Sequence, residues 1–286
     1  MFILPIINET FIIGNMNTMN SRLYNHIKSG NLADWLVSHG KTVITAEEVA
    51  DILGIPRQEV AQRLLRARNK GQFATLSKGI WAVVPPEYRE FGAPEPQRYI
   101  DVMMEKLECE YCVGWLSAAA IHGARHQAPQ VFQVALDRSL RERKVGRTKL
   151  IFYKRAYVSE ISKRRVNLSS GAIMVATPGA TMLMAAADLI LCGGIDNVAT
   201  IITELADENP SFLQDIMSNV SLFPHTAVCR LGWILENISG QKGLDELSDY
   251  CQSKKTIAEL SPYDGRSGTI NKRWNIIENR AVEADI

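Results

Sequence analysis

Early in the chain, apolar residues recur three and four apart, the spacing of one helix face, and then give way to short unbroken apolar runs. Leu32, Trp35 and Leu36 predict a first helix ending at Gly40. Thr45 and Glu48 form a T-x-x-E capping box, and Val49, Ile52 and Leu53 line one face of the helix it opens. Gly54 suits the left-handed position just past that helix, and Pro56 suits the first turn of the next. This next helix is predicted from Arg57 to Lys70, stopped by Gly71. On a helical wheel Val60, Leu64 and Ala67 share one side; Gln58, Gln62, Arg66 and Asn69 lie opposite, with Arg63 on the flank. Phe73–Leu76 and Ile80–Val84 read as two short strands around the turn Ser77-Lys78-Gly79.

A capped helix, a Gly-containing turn, a helix with a polar face and a hairpin, in that order, predict a winged helix-turn-helix over residues 21–85. Amides and guanidinium groups on the second helix can pair with adenine and guanine edges, and Lys78 at the hairpin tip suits a phosphate or the minor groove. Four prolines, Pro85, Pro86, Pro94 and Pro96, then interrupt the pattern, so residues 86–97 read as a linker.

Beyond the linker, YIDVMMEKLE and VGWLSAAAIHG read as helices, the second broken at Gly123. VFQVALD (131–137), KLIFYKR (149–155) and SSGAIMVAT read as strands. PGATMLMAAADLI, IDNVATIITELAD and HTAVCRLGWILEN read as helices, so strands are expected in the first half of this region and helices in the second. The fold class that follows is α+β: an N-terminal winged helix-turn-helix and then a larger mixed α/β domain over residues 98–286. Residues 1–20 are apolar but lack a basic leader and are interrupted by Glu9; they read as a tail, with Met16 or Met19 as alternative starts.

The formal net charge of +1 conceals alternating blocks. Residues 21–85 carry nine Lys/Arg against five Asp/Glu, residues 86–137 four against eight, residues 138–165 eleven against two, and residues 166–286 eight against fifteen. Two basic blocks fit a polyanion touched at two places, although charge runs are also what solvated faces carry. The candidate DNA contacts are Arg57, Gln58, Gln62, Arg63, Arg66, Lys70 and Lys78, with Arg141, Arg143, Lys144 and Arg147 from the second block.

Five cysteines, an odd number scattered over a long chain, argue for a reducing cytoplasm. Cys109, Cys112, His122 and His126 could supply a tetrahedral zinc set. Yet the segment between Cys112 and His122, VGWLSAAAI, is apolar and helix-like, and the two histidines straddle Gly123. The expectation is two core-facing cysteines and a helix-end histidine, with no metal. Ser117 lacks a G-x-S-x-G surround and is expected to pack. No phosphate-cradling glycine loop or dinucleotide fingerprint is present, so no catalytic residue and no cofactor is expected.

From about residue 22 onward the chain resembles the AbiEi-type antitoxins of bacterial type IV toxin–antitoxin systems, which are linked to abortive infection and phage defence. The resemblance rests on ITAEEVADILGIPRQEVAQRLLRARNKG, KGIWAVVPPE, GAPEPQRYIDVMM and YCVGWLSAAAIHGARHQAPQVFQVAL, with VATPGATMLMAAADL, GGIDNVATIITELA and WNIIENRAVEADI. Cys109 and Cys112 lie outside the family pattern. The resemblance implies a winged helix that represses the protein's own operon at inverted repeats in promoter DNA. It also implies a larger domain that counters a nucleotidyltransferase-like toxin without a stable complex. It further implies no membrane partner, and a chain that is monomeric in solution and binds DNA cooperatively. Three readings stand beside it: an enzyme acting on nucleotide or RNA to reverse the toxin's modification, an antitoxin that sequesters its toxin, and a plain transcriptional regulator.

Overall fold

Leu32, Ala33 and Leu36 are buried along one side of helix α1 (Leu32–Ser38), which packs in a small core with Ile44, Val49, Val60, Leu64, Phe73 and Trp81. Strand β1 (Val43–Thr45) leads into α2 (Ala46–Leu53) through the capping box. The Thr45 hydroxyl accepts from the Glu48 amide at 3.2 Å, and the Glu48 carboxylate accepts from the Thr45 amide at 2.8 Å. Gly54 closes α2 with φ of +62°, a conformation open to glycine at little cost. Pro56 has ψ of 140° and stands before the helical turns rather than inside them.

The helix expected over Arg57–Lys70 is segmented. A single 3₁₀ turn (Arg57–Glu59) precedes α3 (Val60–Arg63) and α4 (Leu65–Asn69). Leu64 joins the two with a shallow ψ of −10°, and its amide still bonds Val60 O at 2.9 Å. Val60, Leu64 and Ala67 face the core, with Val49, Phe73 and Trp81. Strands β2 (Phe73–Ser77) and β3 (Ile80–Val83) make the hairpin, and β1 pairs antiparallel with β3, giving the order β1-β3-β2. No apolar alternation announces the three-residue β1.

The computed structural model describes residues 30–124, 131–168 and 171–285. The tail over residues 1–20 and His126 lie outside the described residues. The described residues form two compact units: those up to Met103 with Val145–Arg147, and those from Met104 to Lys144 and from Thr148 onward. The proline-bearing stretch contains two 3₁₀ segments, Pro86–Phe91 and Pro96–Arg98, before helix α5 (Ile100–Lys106).

The second unit is built on a six-stranded mixed sheet in the order β6-β7-β5-β4-β9-β8. Its strands are β4 (Tyr111–Val113), β5 (Val131–Leu136), β6 (Arg143–Val145), β7 (Thr148–Lys154), β8 (Lys163–Leu168) and β9 (Gly171–Ala176). β4 runs antiparallel to β5 and parallel to β9; β5 and β7 are parallel. The helix expected over VGWLSAAAIHG starts at Val113, but Tyr111–Val113 are extended. They form a strand because each pairs with β5, so α6 begins only at Trp115 and spans Trp115–Ile121. That short helix buries Trp115, Ser117, Ala118 and Ala119, whereas Ala120 is exposed.

Helix α7 (Pro178–Ala187) is apolar all round and buried throughout its first nine residues, the signature of a central core helix. Around it pack α6, α8 (Ile195–Glu208), α9 (Phe212–Met217) and α10 (His225–Asn237). The expectation of helices alone in the second half needs correction. After α11 (Asp245–Gln252) comes a small sheet, β10-β12-β11, of Ala258–Glu259, Ile276–Glu278 and Thr269–Asn271. Its strands are two or three residues long, too short for a period to register. The whole is mixed α+β. Among the described residues no helix is long and apolar enough to cross a membrane.

Candidate nucleic-acid interface

The buried side of α3 and α4 dictates what the other side presents. With Val60, Leu64 and Ala67 turned inward, Gln62, Arg63, Arg66 and Lys70 are all exposed. These four line one groove of about 820 Å3, together with Gly30, Asn31, Glu59, Leu65, Ala67 and Gln72. The spacing Gln62, Arg66, Lys70 repeats every four residues and so follows one face. Arg63 lies 4.0 Å from Glu59, one turn earlier, an exposed contact of little energetic weight. Arg66 and Lys70 have no ion-pair partner among the described residues, so their charge is available to an anion.

Arg57 and Gln58 belong to the preceding 3₁₀ turn and are exposed. Arg57 pairs with Glu47 of α2, whose carboxyl is held below its ordinary range by backbone hydrogen bonding first and by Arg57 second. The hairpin turn is tied to the same end of α2, since the Ala46 amide donates to Gly79 O at 2.8 Å. Lys78 at that turn is exposed. The 3₁₀ turn, the helix pair and the hairpin turn therefore present Arg57, Gln62, Arg63, Arg66, Lys70 and Lys78 around one small core.

The second basic block does not behave as one patch. Arg141 and Lys144 are exposed, and Arg147 lays its guanidinium 4.7 Å from the Phe91 ring centroid. Arg143 is half-buried; its Nε is shielded from solvent and meets no acceptor, and burial lowers its pKa from the usual arginine value. Lys149 and Glu142, on either side of the hairpin turn, pair at 2.9 Å.

Sequence reasoning passed over Leu65, Glu59 and Gln72. Leu65, 49% exposed, and the buried Gln72 both line the polar groove. Leu65 could have been found as the one large apolar residue left over once Val60, Leu64 and Ala67 are assigned to the core.

The would-be zinc residues occupy separate environments. Cys112 is wholly buried in β4, and burial pushes its thiol up to about 12. Cys109 is half-buried rather than core-facing, because it follows α5 in a turn outside the sheet, where its thiol donates to Leu107 O at 3.4 Å. His122 ends α6. Its Nε2–H donates to Ala176 O at 2.7 Å, and Nδ1 accepts from Arg164 Nη2 at 3.3 Å, which fixes the neutral tautomer. Among the described residues no group of three or more His, Cys, Asp or Glu is placed to hold a metal ion. Ser117 is buried and bonded into the backbone of β5: its oxygen accepts from Gln133 N at 2.9 Å and donates to Val131 O at 3.4 Å.

One part-buried polar network in the second unit converges on Asp188. Trp115 Nε1 and Arg155 Nη2 both donate to Asp188 Oδ2, at 3.0 and 2.8 Å, and the Arg155 guanidinium lies 5.3 Å from the Trp115 ring. Trp115 holds φ of +50°, a strained value for a bulky residue. The network anchors the start of α6.

Residues 112–237 match the family model of the AbiEi antitoxin C-terminal domain. Among curated proteins no match is found. Among solved structures, the fold resembles the crystal structure of the RV2827C protein from Mycobacterium tuberculosis. The TM-score is 0.64 at 14% sequence identity, over 88% of this chain and 92% of that one.

Proposed function

We propose that this chain, which over residues 112–237 belongs to the AbiEi antitoxin family, is the DNA-binding antitoxin of a toxin–antitoxin system. In this reading the first unit is a winged helix-turn-helix that represses its own operon. Helices α3 and α4 read the major groove, and the hairpin touches the backbone through Lys78. The second unit neutralises a nucleotidyltransferase-like toxin, as in type IV systems, and does so as a regulator rather than an enzyme. Residues 21–85 and 98–286 would be the two functional domains, joined by residues 86–97.

The observation that carries the DNA-binding part is the groove in which Gln62, Arg63, Arg66 and Lys70 stand together, exposed, on the back of a helix pair whose other side is core. Its charge is positive and its amides and guanidinium groups can each reach base edges. A mobility-shift titration on the chain's own upstream DNA tests this. Arg66→Ala is expected to weaken binding by about tenfold or more, as loss of one base-edge or phosphate contact does. Equal affinity of Arg66→Ala and wild type would remove α3 and α4 from the interface. For the second unit, co-expression with the neighbouring toxin gene should restore growth without the two proteins co-purifying; a stable complex would favour sequestration instead.

A further inference from the structure

The polar groove contains one large apolar residue, which the reading above does not use. Leu65 is 49% exposed, although its neighbours in sequence, Leu64 and Ala67, are buried. An exposed leucine alone is ordinary. This one stands at helical spacing from Gln62 and Asn69, both exposed, and lines the same groove as the arginines. Ala61, four residues earlier, is exposed as well, so Ala61 and Leu65 form a narrow apolar strip beside the polar strip of Gln62, Arg66 and Lys70. A surface that carries only charge reads phosphate; one that alternates amide, guanidinium and methyl groups matches the floor of a major groove. There the single apolar feature is the thymine 5-methyl group.

We infer that Leu65, with Ala61 beside it, reads a thymine methyl in the major groove and sets base specificity at that position. The inference rests on the proposed DNA-binding role of α3 and α4. Arg63, Arg66 and Lys70 supply the charge complementarity that brings a duplex rather than an apolar partner to this strip.

The test uses the full chain and duplexes of its own upstream DNA in which individual thymidines are replaced by deoxyuridine, which deletes only the methyl group. Wild type is expected to bind roughly three- to fivefold more weakly when the contacted methyl is removed, the weight of one buried methyl group. Leu65→Ala should bind natural DNA more weakly by a similar factor and be indifferent to uridine at that position. Leu65→Met should keep the sensitivity, because it keeps an apolar side chain of similar reach. The salt dependence of binding should not change in Leu65→Ala, since no phosphate contact is lost. Thermal melting of the variants checks that they fold, as expected for an exposed site. Wild type that binds tightly but ignores every uridine overturns the inference and leaves DNA binding standing. So does Leu65→Ala that retains the full sensitivity. Wild type that binds no upstream DNA overturns the proposed function and the inference with it.

Discussion

His122 is a single side chain whose protonation state is fixed by two neighbours. It gives a hydrogen to Ala176 O and takes one from Arg164, so a second ring proton would have to displace a guanidinium. Burial first, and Arg164 among its neighbours, lower its pKa from the ordinary 6.5, against the Ala176 carbonyl and Asp215, which raise it. Below pH 6.5 the unfolded chain therefore takes up a proton that the folded chain refuses, and stability falls until the lower folded value is reached. In urea titrations between pH 7.5 and 5.5, His122→Gln should lose less stability than wild type over that window; parallel losses would show that the ring titrates normally. Arg230 is the opposite kind of residue, charged yet 4% exposed. Its guanidinium donates to Leu260 O at 2.8 Å, Ala186 O at 2.5 Å and Glu259 O at 2.9 Å, tying β10 to the last turn of α7. Burial brings its pKa down to about 10. Arg230→Met fills the space but leaves three carbonyls without a donor, an expected loss on the order of 3 kcal/mol. Arg230→Lys, which reaches fewer acceptors but keeps the charge, should lose less in the same urea titration.

Helix α7 is held at its start by another element. The Asp215 carboxylate, on α9, accepts from Thr177 Oγ1 at 2.7 Å and from the Gly179 amide at 2.6 Å, supplying the cap that the Thr177 side chain does not. A Cβ at Gly179 would stand 2.7 Å from the Ile216 amide, so only glycine lets α9 come this close. Asp215→Ala is expected to cost about 1–2 kcal/mol by urea denaturation, and Asp215→Asn less, because the amide oxygen can still accept. No change on Asp215→Ala would mean solvent replaces the cap freely. Such cross-element devices explain where the sequence is legible. The capping box at Thr45 and Glu48 and the stop at Gly54 are local chemistry, written in adjacent residues. Strand β8 is KRRVNL, charged and without an apolar period; its pairing comes from β9, with Arg164 opposite Val175. Strand β4 is short and runs on toward an alanine-rich helix, so only its partners identify it. The same holds for the site. The face of Gln62 and Arg66 follows from the wheel, whereas the half-burial of Arg143 depends on what tertiary packing leaves open.

At the scale of the whole molecule the question is whether both basic blocks meet one polyanion. Charge alternates along the chain, with basic segments over 21–85 and 138–165 separated and followed by acidic ones. Each phosphate contact adds roughly 0.9 to the slope of log affinity against log salt, so the slope counts contacts without knowledge of the operator sequence. Arg141, Lys144 and Arg147 are exposed and able to contribute, whereas the half-buried Arg143 is not in the same position. If the second block touches DNA, changing Arg141, Lys144 and Arg147 together to Gln should lower the slope by about two to three units. Discrimination between the chain's own upstream DNA and unrelated DNA should then be unchanged, because phosphate contacts carry no base information. Arg66→Ala should do the reverse if it meets a base edge, reducing discrimination while moving the slope by at most about one unit. A triple variant with the wild-type slope but without protection against the toxin would assign these cations to the antitoxin function proposed for the second unit. The first unit would then be left to bind DNA alone.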